Sequence, residues 1–458
     1  MSITETPSKI EKILQDAAVN RLLPASQICI VRDSEVILSE SFGYVPVGSK
    51  KIKTQKLTLF DLASVTKLFT ATAFMRLVDL NLISLEDAVS KILPEFSGER
   101  PIAPYEDPLN PGKLISVDHG FTGMVDAGEI TFRQLLRHSS GLPAWRPLFT
   151  QPTVSAAKQM VFDTFFSYKP DTDVVYSDLG FMLVGWAIEK ICGMGLDQAI
   201  DHFVLKPLQL TETGFRPLSR DFNTPLPLPA EGIAPTGICA VRHKILVGEV
   251  NDENCASLGG ISGHAGLFAT AEELAAFGQS FLDESSILTS ESMNEMKKVQ
   301  AVSRDGLVRR GIGFQLWSAD PNASYAALSP DSFGHTGFTG TCLWVDPQRQ
   351  MVIAFLTNEV SNGRKNRKFF RCELKFSLKR QQFVRFPPIF PVEKSIEFSN
   401  QKSRLQISAF FDLYFYFIEC LFLRSLTPRM SAKRTITTKI IIGIFHLSAT
   451  PVFGKAVD

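Results

Sequence analysis

One stretch constrains this chain more than any other: from Ser64 to Leu80 there is neither glycine nor proline. Its apolar residues Leu68, Ala71, Met75 and Val78 recur three and four apart, the spacing of one helix face. The stretch opens on Ser64-Val65-Thr66-Lys67. A serine and a lysine three apart share a helix face, which brings the amine within hydrogen-bond reach of the hydroxyl. A serine hydroxyl attacks only when a neighbouring base takes its proton. The helix start adds a positive end that disfavours an ammonium, and a free N–H at Ser64 that can donate to an oxyanion. The tetrapeptide alone settles nothing, because the pattern recurs at Ser155–Lys158 and Ser399–Lys402. Taken by itself, Ser64 reads as a helix cap and Lys67 as a surface charge.

The surrounding sequence places this helix in a larger layout. Residues 7–22 predict an amphipathic helix with Ile10, Ile13, Leu14 and Ala17 on one stripe. Ser26–Arg32 and Glu35–Phe42 predict a hairpin about Asp33-Ser34. Helices are also expected at Leu82–Ile92, Thr131–His138, Leu179–Cys192 and Ala271–Glu284, with an inserted loop over 97–128 and a proline-rich connection over 217–237. Thr341–Val345 and Met351–Thr357 predict a final hairpin about Asp346-Pro347-Gln348. Strands at both ends and helices between them imply a sheet built from both chain ends, with a helical domain inserted.

Composition changes sharply near Gly363. Residues 365–458 carry 17 basic and 6 acidic residues, against 48 and 47 for the whole chain, so this tail is near +11 and the rest near −10. The tail has two glycines but 14 of the 36 phenylalanines, and no sustained amphipathic period. We expect it to be foreign to the fold, the product of a shifted reading frame, and poorly ordered. The other reading is a basic appendage for an acidic partner. Apolar stretches within it carry Asp412 and Glu419, or are broken by Pro451, so no membrane span is expected. The whole-chain charge of +1 gives no reason to expect nucleic acid. The cysteines (29, 192, 239, 255, 342, 372 and 420) are scattered without a CxxC pair, which suggests reduced core thiols rather than disulfides or zinc. His119, His138 and His264 lack metal-ligand spacing, so neither a metal nor a cofactor is expected. The first residues lack a basic, then apolar leader, which makes the cytoplasm the default expectation and leaves export open.

Four segments in order carry a resemblance: FDLASVTKLFTATAFMRLVDL around Ser64, ITFRQLLRHSSGLPAW over 130–145, Tyr176-Ser177-Asp178, and GHTGFTGTCLWVDPQRQMVIAFLTN over 334–358. Together they resemble the penicillin-binding-protein and class C β-lactamase family of serine hydrolases. The resemblance implies an α/β (α+β) fold of the β-lactamase/transpeptidase type, with an antiparallel sheet formed by both chain ends and flanked by helices. Its domain would span 1–362, the sheet from 1–60 and 240–362 and the helical region from 61–239, with 363–458 as the tail.

It also implies roles. Ser64 is the nucleophile, Lys67 its partner base, and Tyr176 completes the proton relay with a phenol that Lys67 lowers from its ordinary pKa of ~10. Asp178 stands where the family has asparagine, and it cannot donate a hydrogen bond when ionised; it would also hold Lys67 in its charged form. His335-Thr336-Gly337 lines the site where the family has Lys-Thr-Gly, and the Phe338 N–H is a second oxyanion donor. A histidine there attracts a substrate carboxylate only when protonated, so such substrates should react less as pH rises through ~6.5. Both departures argue against an efficient β-lactamase. The glycine-rich segment 259–266 reads as a tight turn near the site, since it lacks the lysine of a phosphate loop. The expected activity is hydrolysis of a small ester, amide or D-amino-acid peptide through an acyl-enzyme on Ser64. The rival reading is a catalytically silent protein that binds a wall peptide or a partner in the same cleft.

Overall fold

The computed structural model describes residues 5–363, apart from Arg21, Gly48, Leu109, Pro111, 118–122, 219–231, 284–286, 321–322, Ser324 and Ala326. The expectations for the tail, for His119 and for most of the proline-rich connection lie outside the described residues.

Helix α1 (Glu5–Val19) buries Ile10, Ile13, Leu14 and Ala17, the stripe that the spacing predicts. Strands β1 (Ala25–Arg32) and β2 (Glu35–Val47) form the first hairpin. Asp33 and Ser34 between them have φ of 51° and 62°, the mirror-image turn that suits the twist of paired strands. β3 (Lys50–Lys53) adds an edge. The chain then passes through a 3-10 turn, Ala63–Val65, into α2 (Thr66–Asp79). Helix α3 (Phe132–Leu136) is capped reciprocally by Thr131 and Gln134, and α4 (Asp178–Cys192) ends at Gly193. Two further helices, α5 (Glu253–Ser257) and α6 (Ala271–Gln279), precede the return to the sheet.

That return consists of β4 (Ala301–Val302), β5 (Arg309–Arg310), β6 (Gln315–Leu316), β7 (Phe333–Gly337), β8 (Thr341–Asp346) and β9 (Met351–Thr357). The sheet order is β4-β5-β6-β7-β8-β9-β1-β2-β3, antiparallel throughout. β9 lies beside β1, with Ser26 opposite Thr357 and Arg32 opposite Met351, so the sheet is indeed built from early and late strands.

The pleat sends alternate residues of β1 to opposite faces. Ile28 and Ile30 pack with Leu14, Ala17 and Phe42 beneath α1. Cys29 and Val31 join the larger core with Leu68, Phe69, Phe277, Leu343 and Val352, between the sheet, α2 and α6. Phe69 and Phe277 stack with ring centroids 4.0 Å apart. Each such side chain contributes about 1.5–3 kcal/mol when fully buried, so α2 is held firmly against α6 and the sheet.

Two expectations need correction. Leu82–Ile92 forms only a 3-10 turn, Val89–Lys91. Asp87 accepts the Ser84 N–H, and the Val89 N–H goes to the Ile130 carbonyl, so local and cross-chain bonds replace the helix ladder. The 97–128 insertion is more ordered than a loop. Glu99–Pro101 pairs with Met124–Asp126, and Tyr105–Glu106 with Leu114–Ile115. Among the described residues, Cys29, Cys192, Cys239, Cys255 and Cys342 are free thiols, and no single helix is long and apolar enough to cross a membrane.

Candidate active site

The turn that carries Ser64 is anchored on several sides. Ala63 takes a positive φ of 47°, uncommon outside glycine, and its N–H donates to Asp61 Oδ1 at 2.8 Å. Asp61 Oδ2 accepts the Asn251 N–H at 2.6 Å; burial pushes this carboxyl up to about 6. The Thr339 and Thr341 hydroxyls donate to the Asp61 and Leu62 carbonyls at 2.7 and 2.9 Å. Gly337, at the end of β7, has no room for a side chain: a Cβ there would lie 2.5 Å from the Leu62 carbonyl oxygen. The last strand residues therefore press directly on the turn that presents the serine.

Lys67, one helical turn on, is fully buried, and its amine is surrounded. Nζ lies 3.1 Å from Ser64 Oγ, donates to the His264 carbonyl at 3.0 Å, and pairs with Asp178 Oδ1 at 2.7 Å. It also sits 4.7 Å from the centre of the Tyr176 ring. Burial works against the ammonium, but Asp178 and Tyr176 outweigh it and hold the lysine above its ordinary range. The Tyr176 hydroxyl is buried without a hydrogen-bond partner of good geometry. Burial raises this phenol, and the opposing pull of Lys67 is too weak to reverse the shift. The sequence reading, in which Lys67 lowers Tyr176, thus has the right interaction and the wrong net sign.

Asp178 and Tyr176 reach the site because their segment is tied to the 138–144 turn. The Ser177 N–H donates to His138 Nδ1, the Ser177 hydroxyl to the Pro143 carbonyl, and the Asp178 N–H to the Ala144 carbonyl. His138 packs its ring on Tyr176, with centroids 4.7 Å apart. Across the site, His335 lies 5.7 Å from Tyr176, centroid to centroid, and its Nδ1–H donates to the Thr336 carbonyl at 2.7 Å. Its Nε2 is buried without a partner. Burial, then Arg310 and Lys67, hold His335 well below the ordinary histidine range. The imidazole is therefore neutral near pH 7 and well into the acid range, which overturns the expectation of a charge change through ~6.5.

The cation of this wall is one that no motif announced. Arg310, on β5, places its guanidinium 5.3 Å from the Tyr176 ring centre. Its Nε and Nη1 are buried without hydrogen-bond partners. Ser64, Lys67, Tyr176, Asp178 and His335 thus converge; Thr336 and Gly337 pair with Cys342 and Thr341 at the strand end, and Phe338 follows in the turn. Asp252 and His264 were also missed: with Asp178, each places a side-chain oxygen or nitrogen within 4.8 Å of the others. The only forewarning was the glycine-rich 259–266 segment, which does turn beside the site.

Comparison with known proteins gives a consistent answer. The family model for Beta-lactamase matches residues 10–371. A protein of Salmonella typhimurium, provisionally named a D-alanyl-D-alanine carboxypeptidase, is 30% identical over 363 residues, covering 73% of this chain and 78% of its own. Among solved structures, a hydrolase with promiscuous acyltransferase activity aligns with a TM-score of 0.59 at 20% identity, covering 82% of this chain and 99% of that one. The octameric penicillin-binding protein homologue from Pyrococcus abyssi gives 0.57 at 20% identity, over 84% of this chain and 78% of that one. A D-stereospecific amidohydrolase from Streptomyces gives 0.54 at 19%, over 79% and 97%. At such identities these structures speak for the fold alone.

Proposed function

We propose, from the premise that this chain belongs to the Beta-lactamase family, that it is a serine hydrolase which forms an acyl-enzyme on Ser64. The observation that carries this reading is the chain of contacts from Ser64 Oγ through Lys67 Nζ to Asp178 Oδ1, at 3.1 and 2.7 Å. An ammonium cannot take a proton from serine. Lys67 accepts the Ser64 proton as it passes one of its own to Asp178, while Ser64 Oγ bonds to the substrate carbonyl carbon. The protonated Tyr176 phenol then serves the leaving group, and Lys67 reprotonates it. The N–H groups of Ser64 and Phe338 would receive the oxyanion. In the second half of the cycle neutral Lys67 takes a proton from water as the water oxygen bonds to the ester carbon, then gives a proton to Ser64 Oγ as the acyl–oxygen bond breaks. The acid product leaves, and Asp178 returns its proton to Lys67.

The substrate reading rests on Arg310. A guanidinium with buried, unpartnered N–H groups beside a neutral His335 favours a substrate that brings a carboxylate. Among small esters, amides and D-amino-acid peptides, this supports a peptide with a free C-terminus. We read residues 1–362 as one catalytic unit. The rival, silent-binder reading draws on the charged state of Lys67, and one experiment separates the two. A fluorophosphonate or fluorescent penicillin should label the wild-type protein, and Ser64→Ala should abolish labelling and lower ester turnover by on the order of 10³-fold or more. A folded wild-type protein that takes no label would refute the hydrolase reading.

A further inference from the structure

We infer that Asp252 and His264 are positioning residues that set the place and the charge of Lys67, an inference that rests on the hydrolase reading above. Of the three partners of Lys67, Ser64 is the reacting group and Asp178 is a side chain 23% exposed at the rim. Among the described residues the His264 carbonyl is the one main-chain partner, so its position decides where the amine sits.

That carbonyl belongs to a segment fixed from both sides. Gly263 lies so close to α4 that a Cβ there would fall 2.0 Å from the Phe181 carbonyl oxygen. The Thr70 hydroxyl donates to the Gly263 carbonyl at 2.8 Å, and the Leu267 N–H donates to Thr66 Oγ1 at 3.2 Å, so α2 grips the segment on either side of His264. The imidazole itself supplies the remaining anchor. It is fully buried, with Nδ1 2.8 Å from Ser262 Oγ and Nε2 3.0 Å from Asp252 Oδ1. A carboxylate accepts only, so Nε2 carries the proton. The same Asp252 oxygen caps α5 by accepting the Cys255 N–H at 2.7 Å. Next door in α5, Asn254 bonds the Leu148 N–H and the Arg146 carbonyl, which extends the brace into the helical region.

Asp252 also acts through its charge. Burial would raise its carboxyl, yet His264, the Cys255 N–H and Lys67 together hold it well below the usual carboxylate range. Asp178, from α4, pairs directly with Lys67 at 2.7 Å, and Asp252, from the start of α5, places a side-chain oxygen within 4.8 Å of one on Asp178, so a second carboxylate stands behind the first. The other ionisable groups around Lys67 are Tyr176, the cationic Arg310 and the Cys255 thiol, which burial raises and keeps protonated, with His138 and His335 neutral by burial.

Geometry and charge are separable by substitution. Asp252→Ala removes the anchor, and a misplacement near 1 Å costs roughly 10²-fold. The limiting rate of fluorophosphonate labelling at high pH should fall by about that factor. Asp252→Asn keeps an acceptor oxygen for both N–H groups. It should restore the limiting rate to within about threefold and move the ascending limb of the pH–rate profile to lower pH, since a negative charge near the ammonium is gone. An alanine variant with the wild-type limiting rate, or a folded asparagine variant with an unmoved limb, would overturn the inference. Should the alanine variant fail to fold, the asparagine limb still decides. Because wild-type labelling is the reference, a wild type that never labels refutes the hydrolase reading instead, so the two failures are distinct.

Discussion

The ion pair between Lys67 and Asp178 gives the sharpest test of how this site works. At 2.7 Å, and with an effective dielectric constant of ~20, two unit charges attract by about 6 kcal/mol. Asp178 is 23% exposed, so water screens part of that, and each ion has also given up hydration to be there. Taking a third to a half as the net effect leaves about 2–3 kcal/mol. That corresponds to a factor of roughly 30 to 160 in how readily Lys67 releases its proton. Asp178→Asn keeps the shape and removes the charge. Burial, which already opposes the ammonium, would then meet less opposition, so Lys67 would become neutral, and able to accept the Ser64 proton directly, at a lower pH than in the wild type.

The assay is the pH dependence of kcat/KM for a neutral chromogenic ester, which reports the free enzyme. The sign follows from the charge: losing an anion disfavours the protonated amine, so the ascending limb must move to lower pH. The variant should therefore gain on the wild type most where the wild-type lysine is still an ammonium. A folded Asp178→Asn protein whose limb coincides with that of the wild type would show that Asp178 does not control Lys67, and the proton path through it would fall.

The remaining expectations concern neighbours of that pair. Lys67→Ala and Tyr176→Phe should each reduce ester turnover severely, and the double variant should be little worse than either, because groups that act as one relay do not add; full additivity in a double-mutant cycle would separate them. Arg310→Met should raise KM for a carboxylate-bearing peptide on the order of 10²-fold, with a loss at least tenfold smaller on a neutral ester, and equal losses would refute the assignment. His335 is held neutral in the fold, so the unfolded chain binds a proton below pH ~6.5 that the native chain refuses, and stability falls as pH drops through that range. Asp61, raised to about 6, works in the opposite direction, so the reading is the difference in Tm against pH between wild type and His335→Gln; identical slopes would contradict the buried neutral imidazole.

What could be read in the sequence was what local chemistry determines. The α1 stripe, the Asp33-Ser34 turn and the last hairpin each depend on residues within a few positions of one another, and all of them form. Ser64, Lys67, Tyr176, Asp178 and His335 were legible because each sits in a short ordered pattern. Leu82–Ile92 failed as a helix because its N–H groups found partners at Asp87 and Ile130, one local and one distant. Arg310 had no pattern at all. It reaches Tyr176 only because β5 pairs through β6 to β7, and two-residue strands leave almost no periodic trace. Asp252 and His264 meet through a contact that composition cannot foretell. The signs of the Tyr176 and His335 shifts were also out of reach, since burial dominates both and burial is a property of the packed core.

The two departures from the family pattern can be understood as one coupled change. With asparagine in place of Asp178 and lysine in place of His335, the same pocket would hold Lys67 and a second ammonium, with Arg310 nearby and Asp252 left to offset them. Here Asp178 neutralises Lys67 at 2.7 Å, and burial keeps His335 uncharged. Arg310 then remains as the uncompensated cation of the wall, set 5.3 Å from the Tyr176 ring. A substrate carboxylate drawn to Arg310 would meet no competing ammonium at position 335. Lys67, already paired, would not hold it out of place. Restoring either family residue alone should therefore blur the discrimination between charged and neutral substrates. His335→Lys would add a second attractor, and Asp178→Asn would unmask Lys67 whenever it is protonated. The ratio of kcat/KM for a carboxylate-bearing peptide to that for its amide, measured for both variants at one pH below the Lys67 limb, tests the coupling. Ratios unchanged from wild type would mean that the two positions vary independently and that Arg310 alone sets the preference.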